Sequence, residues 1–240
     1  LACDHGLAGP FLARHADCDR VAYGLAGADH VIEPPLAGLV IALAIGLALR
    51  PLLRRRTDPA AQALAAIAAA RRMLPDETIA TVDSGAHRIL LSQMWETKIP
   101  RTLLQSTGLC TMGCAVPLAL GAKLADPSRP CVAFTGDAGL LMILGELASA
   151  DELDLPIIVV VFVDRSLALI DIKQRQRQLK NAGVDFARSD FAAIAQAMGG
   201  NGIAVRSTAE MEAAVTAARD ADRFTVIAVE IERESYDGSF

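Results

Sequence analysis

The chain is short of aromatic residues: Phe, Tyr and Trp make up 4% of its 240 residues, with one Trp among them. Alanine dominates instead, which suits helices packed closely on a sheet. An excess of positive charge is also missing. The formal net charge of −5 argues against nucleic acid or an anionic membrane surface as a partner. Five cysteines (Cys3, Cys18, Cys110, Cys114 and Cys131) have no disulfide-scaffold spacing, and their odd number points to a reducing cytosol. Cys110 and Cys114 lie four apart but have no nearby second pair, so a zinc site there is disfavoured. No basic n-region precedes an apolar core at the N-terminus, which opens on Leu1, so no secretory signal is expected. The long apolar run, Leu36 to Leu49, has about 14 residues, short of the roughly 18 to 20 that span a bilayer. A buried or partner-covered helix is expected there, not a membrane span. No internal repeat is visible.

What is present divides the chain in two. Residues 1–57 are not assignable to a domain: 1 to about 35 carry scattered Gly, Pro and His with little periodicity, and Arg50 to Thr57 reads as a linker. From residue 58 onward, apolar β-type runs alternate with helical patterns, which is enough for one α/β domain. Asp58-Pro59 is a helix start, and the helix runs to about Met73. A strand over Thr78 to Val82 ends at Asp83-Ser84-Gly85-Ala86-His87, and a helix follows over Ile89 to Trp95. Another helix is expected from Thr111 or Met112 to Leu124. Ser189-Asp190 starts a helix closed by Gly199-Gly200, Ser207 with Glu210 predicts a capping box, and Phe224 to Ile231 is the last strand. The alternation predicts a doubly wound, mainly parallel sheet flanked by helices, with ligands at the C-terminal edge of its strands.

The organising stretch is Pro130 to Leu167. A short strand, Cys131 to Thr135, ends in Gly136-Asp137-Ala138-Gly139. A helix is expected from Leu140 to about Glu152, and a second apolar strand, Ile157 to Val163, ends in Asp164-Arg165-Ser166. A βαβ crossover delivers both strand ends to one edge of a parallel sheet, so Asp137 and Asp164 are expected to converge. Two carboxylates beside a small-residue turn suit a magnesium-bridged diphosphate, because Mg²⁺ takes hard oxygen ligands and usually one or two carboxylates. Ala138 and Gly139 leave the backbone N–H groups at the helix start open to phosphate oxygens. The plain alternative is a strand-to-helix turn with an N-capping Asp.

Gly136-Asp137-Ala138 followed by Val163-Asp164 resembles the thiamine-diphosphate motif GDG…NN. Gly108-Leu109-Cys110-Thr111-Met112-Gly113 resembles the GLGTMG of the same proteins. From about Asp58 to Phe240 the chain resembles the C-terminal, diphosphate-binding domain of acetolactate-synthase-like enzymes. The resemblance implies thiamine diphosphate and Mg²⁺ as cofactors. It makes Asp137 and Asp164 the side-chain metal ligands and the Ser166 carbonyl the third protein ligand, with Asp164 standing where Asn is more usual. It implies a phosphate contact from Gly85-Ala86-His87, although a lone His at a strand end is as often a structural hydrogen-bonder. It makes the Cys110 carbonyl the acceptor for the aminopyrimidine and Met112 the wedge that bends the cofactor, ordinary helix core being the alternative for Met112. Cys110 in place of Gly is expected to be harmless provided its φ is negative. Lys173 and Gln174, within the polar stretch Lys173 to Arg177, fall where substrate-facing residues sit in some members, or form a solvated face.

The glutamate that activates the cofactor in this family lies on a separate pyrimidine-binding domain, and nothing before Asp58 matches one. No catalytic residue is therefore expected in this chain. The resemblance implies a homo- or hetero-oligomeric, thiamine-diphosphate-dependent transferase or lyase that decarboxylates or ligates a 2-oxo acid and is inactive as this isolated chain. The absence of a Trp from Leu167 to Gln174 keeps a benzoylformate-decarboxylase-like lyase open. A non-catalytic remnant serving as a binding or assembly module is the reading from another class.

Overall fold

The computed structural model describes residues 59–238. The expected helix cap at Asp58 and the apolar run Leu36 to Leu49 lie outside them. Six strands form a single parallel sheet: β1 (Ile79–Val82), β2 (Leu103–Gln105), β3 (Cys131–Gly136), β4 (Ile158–Val163), β5 (Asn201–Val205) and β6 (Thr225–Glu230), in the order β2-β1-β3-β4-β6-β5. The doubly wound α/β architecture expected from the alternation is what is seen.

Side chains on a strand alternate between faces, so a sheet covered on both sides needs near-continuous apolar strands. β4 is such a strand, buried along its whole length. Ile158, Val160 and Phe162 face one core with Val132 and Phe134 of β3. Val159, Val161 and Val163 face the other with Cys131 and Ala133. The first core is roofed by α1 (Pro59–Met73), α2 (Ala86–Met94) and α8 (Thr208–Arg219). The second is roofed by α3 (Ala115–Ala125), α4 (Asp137–Met142), α5 (Glu146–Glu152) and α7 (Phe191–Ala197). Ala63, Ala66 and Ala70 on α1, and Ala115 and Ala119 on α3, let these helices lie close to the sheet.

Three of the aromatics form a column with His87. Trp95 meets Phe134 edge-on at 5.1 Å between centroids, Phe134 stacks on Phe162 at 6.5 Å, and Phe162 stacks on His87 at 5.7 Å. This column runs through the first core to the C-terminal edge of the sheet.

Several expectations need correction. The helix expected over Leu140 to Glu152 is two helices, α4 and α5, separated at Ile143-Leu144-Gly145. β2 and β5 are additions to the expected strands. β5 follows Gly199-Gly200, and at its Gly202 a Cβ would stand 1.9 Å from the Ala192 carbonyl oxygen, so α7 packs against bare backbone there. The polar stretch from Lys173 forms the end of a helix, α6 (Ala168–Gln176). The capping box at Ser207 is half formed. Ser207 Oγ accepts the Glu210 N–H, but Glu210 reaches back to the N–H of Arg206 instead of Ser207. Among the described residues no helix is long and apolar enough to cross a membrane.

Candidate functional site

All strands being parallel, β1, β3 and β4 end at one edge of the sheet, and each is followed by an aspartate: Asp83, Asp137 and Asp164. Asp83 is fully buried. Its carboxylate accepts the N–H groups of Ser84 (2.9 Å), Gly113 (2.8 Å) and Cys114 (3.1 Å) and the hydroxyl of Thr135 (2.8 Å). It thus fastens the 108–114 loop to the ends of β1 and β3. Gly139 packs against this carboxylate so closely that a Cβ would stand 2.2 Å from Oδ2.

Asp137 opens α4. Its Oδ1 accepts the Ala138 N–H at 2.8 Å, and its Oδ2 accepts the Arg165 N–H at 2.7 Å. Burial pushes its pKa up, and the N–H groups of Arg165 and Ala138 oppose that shift. The Ala138 amide expected to stand open is therefore engaged by Asp137 itself, and α4 is a short helix. Asp164 begins the turn after β4. Its Oδ1 accepts the Ser166 N–H at 3.1 Å, while its Oδ2 is buried without a hydrogen-bond partner. Burial first, and the Asp137 charge second, push the Asp164 carboxyl up to about 7. Arg165 between them takes a left-handed φ of 59°. The turn is braced from behind, where Leu167 N–H donates to the Val184 carbonyl at 2.9 Å and Ser166 bridges to Asp185.

His87, on the first turn of α2, is 4% exposed, and its Nε2 has no partner. Burial lowers its pKa to about 4 despite the opposing charge of Asp83, so the imidazole is neutral near pH 7. Cys110 does not meet the condition set for it, because its φ is +51°. The loop enters the left-handed region where glycine would be unstrained and an L side chain is not. Its Sγ lies 3.0 Å from Arg88 Nη1, which also donates to the Ser106 carbonyl at 3.0 Å. Met112 precedes α3 rather than lying within it and is half-buried.

Gly85, Ala86, His87, Cys110, Met112, Gly136, Asp137, Ala138, Gly139, Asp164 and Ser166 all line one cavity of about 360 Å³. Lys173 and Gln174 do not; Gln174 instead donates to the Ala182 carbonyl at 3.0 Å. The sequence reading missed Arg88, Phe162, Leu167 to Ile170 and Tyr236, which share the lining, and missed Asp83 as the fastening beneath it. Only Asp83 carried a signal, a carboxylate at a strand end.

Among the described residues no three His, Cys, Asp or Glu side chains gather as a metal cluster, and Cys110 and Cys114 are free thiols. The acid pair nonetheless suits a hard cation. The Asp137 carboxylate stands close enough to raise the proton affinity of Asp164, and one buried oxygen has nothing to bind. Further ligands would be backbone or hydroxyl oxygens, water, or oxygens of the bound molecule.

A doubly wound α/β domain with an acid-lined cavity at the strand edge is the class these features define. Residues 83–229 match the family model described as thiamine pyrophosphate enzyme, C-terminal TPP binding domain, and the chain belongs to that family. It is 34% identical over 152 residues to a catabolic acetolactate synthase of Raoultella terrigena, covering 63% of this chain and 27% of that protein. It is 30% identical over 162 residues to an acetolactate synthase of Bacillus subtilis (strain 168), covering 68% and 28%. The chain thus spans little more than a quarter of the length of these relatives. In structure it resembles benzoylformate decarboxylase from Polynucleobacter necessarius, with a TM-score of 0.64 and 23% identity over 71% of this chain and 33% of that one. That likeness speaks to the fold.

Proposed function

We propose that residues 58–240 form the diphosphate-binding domain of a thiamine-diphosphate enzyme that decarboxylates or ligates 2-oxo acids, and that Mg²⁺ joins the cofactor to the chain. The observation that carries this reading is the acid pair, with Asp137 buried and Asp164 half-buried at neighbouring strand ends and Asp164 Oδ2 itself buried and unpartnered. Asp137 and Asp164 would hold the cation with their carboxylates and Ser166 with its carbonyl. The neutral His87 would offer one N–H to a phosphate oxygen, and Gly85, Ala86, Gly136, Ala138 and Gly139 line the cavity in which the phosphates would sit. Met112 and the Cys110 carbonyl would position the organic half. When bound, thiamine diphosphate supplies the carbon nucleophile and the electron sink that decarboxylation needs.

The chain's own part is to bind, orient and keep water out. None of its carboxylates has the task of activating the cofactor, so turnover would require a pyrimidine-binding domain or subunit, within a homo- or hetero-oligomer. The apolar side chains of Leu109 (91% exposed) on the 108–114 loop, Met142 (62%) at the end of α4 and Ile170 (47%) in the cavity wall suit coverage by such a partner. An acetolactate-synthase-like transferase reaction is favoured over a lyase reaction by the relatives at 30% identity or more. Free thiols at Cys110, Cys114 and Cys131 are in keeping with the cytoplasm.

Isothermal titration with thiamine diphosphate and Mg²⁺, with and without a pyrimidine-domain partner, tests the proposal. Uptake that requires Mg²⁺ is expected. No uptake even beside the partner would leave the domain a non-catalytic remnant.

A further inference from the structure

The chain does not stop at β6. Residues 232–238 turn back across the C-terminal edge of the sheet, beyond the stretch matched by the family model, and several ionic contacts hold them there. Arg175 of α6 grips Asp237 through both terminal nitrogens at 2.6 Å and also pairs with Asp171 at 2.9 Å. Arg233 pairs with Asp185, the residue bridged to Ser166, and approaches Asp171 at 3.6 Å. Asp171 is itself buried. The terminal segment is therefore fastened both to α6 and to the strip that braces the turn after β4.

Between these fastenings the chain directs Tyr236 inward. Its side chain is 3% exposed and lines the same cavity as Asp137, Asp164 and Ser166. The segment is held by hydrogen bonds of Glu232, Arg233, Ser235 and Asp237, and among the described residues the Tyr236 hydroxyl makes none. Tyr236 lines the cavity wall, so the hydroxyl is free to serve a molecule bound there. A phenol carries its proton at physiological pH and can donate it in a hydrogen bond. A neutral donor beside two carboxylates at a cation site is suited to a phosphate oxygen, which only accepts.

Resting on the cofactor reading above, we infer that the segment after β6 is part of the binding site and that Tyr236 is a binding residue for the metal–diphosphate end, its hydroxyl donating to a phosphate oxygen.

The test uses the full chain, Mg²⁺ and inorganic diphosphate, which is transparent where tyrosine absorbs. The chain has two tyrosines, so a ligand-induced tyrosine difference spectrum in the parent that vanishes in Tyr236→Phe reports this side chain directly. Titration calorimetry of Tyr236→Phe should show affinity for Mg²⁺–diphosphate reduced about tenfold or more, the usual effect of losing a hydrogen bond to a charged group. Asp137→Ala is run alongside. If it loses binding while Tyr236→Phe binds like the parent, the tyrosine inference is overturned and the cofactor reading stands. If the parent takes up no Mg²⁺–diphosphate, or Asp137→Ala binds as well as the parent, both are overturned.

Discussion

Oδ2 of Asp137 accepts the backbone N–H of Arg165 at 2.7 Å, joining the end of β3 to the turn that leaves β4. The bond does two things at once. It holds the two acidic strand ends in register, and it stabilises a turn whose Arg165 sits in the left-handed region.

Replacing Asp137 with Ala removes a cation ligand and frees the Arg165 N–H together. Mg²⁺-dependent binding of thiamine diphosphate should be abolished, because the diphosphate then faces Asp164 without a compensating cation. Calorimetry reads this directly, and a variant that binds as tightly as its parent would sink the metal assignment.

Gly139→Ala should be costly without touching a charge. Its Cβ would stand 2.2 Å from Asp83 Oδ2 and 2.8 Å from Thr135 Oγ1, inside the hydrogen-bond set that fastens the 108–114 loop to the ends of β1 and β3. Overpacking of this kind costs about 1–3 kcal/mol, and here the carboxylate has no room to retreat. Urea denaturation of the metal-free chain measures it; an unchanged midpoint would mean that the Asp83 contacts are loose.

These two sites differ in how readable they were. Asp137 and Asp164 were legible because continuous apolar strands must end somewhere, and here both end in an acid. β4 in particular reads as a fully buried parallel strand from its run of Val and Ile. β2 is only three half-buried residues, and Gly202 in β5 looks like a turn until Ala192 is seen packed on it. The left-handed φ of Cys110 was invisible because it lies in a loop secured at Gly113 and Cys114 by Asp83, which is remote in sequence. Tyr236 was invisible for a similar reason: ion pairs to Arg175 and Asp185, not local sequence, bring its segment to the cavity.

Cys110→Gly should stabilise the chain. A left-handed L residue costs roughly 1–2 kcal/mol, and the greater freedom of Gly in the unfolded chain returns part of that. A net gain of about 1 kcal/mol is expected by chemical denaturation, whereas the β-branched Cys110→Val should lose stability. If both variants matched the parent, the loop would not be held at positive φ.

The pH dependence of folding has two opposed contributors. His87 has its pKa lowered to about 4 by burial, so the stability it confers is present above its ordinary 6.5 and is lost as pH falls from there towards 4. Asp164, pushed up to about 7, works the other way: its contribution is full below its ordinary 3.8 and is lost as pH rises through 7. The parent should therefore show a muted response between pH 7.5 and 5, and removing one group should expose the other. In His87→Gln the imidazole contribution is gone. Between pH 6.5 and 5 the unfolded chain binds a proton at this imidazole and the folded chain does not, a difference that costs about 1.4 kcal/mol for each pH step of one. The stability of the parent relative to this variant should then fall by about 2 kcal/mol between pH 7.5 and 5. Denaturation curves of the metal-free proteins at the two pH values give that difference. An offset that does not change with pH would mean that His87 is not held neutral in its buried place against Phe162.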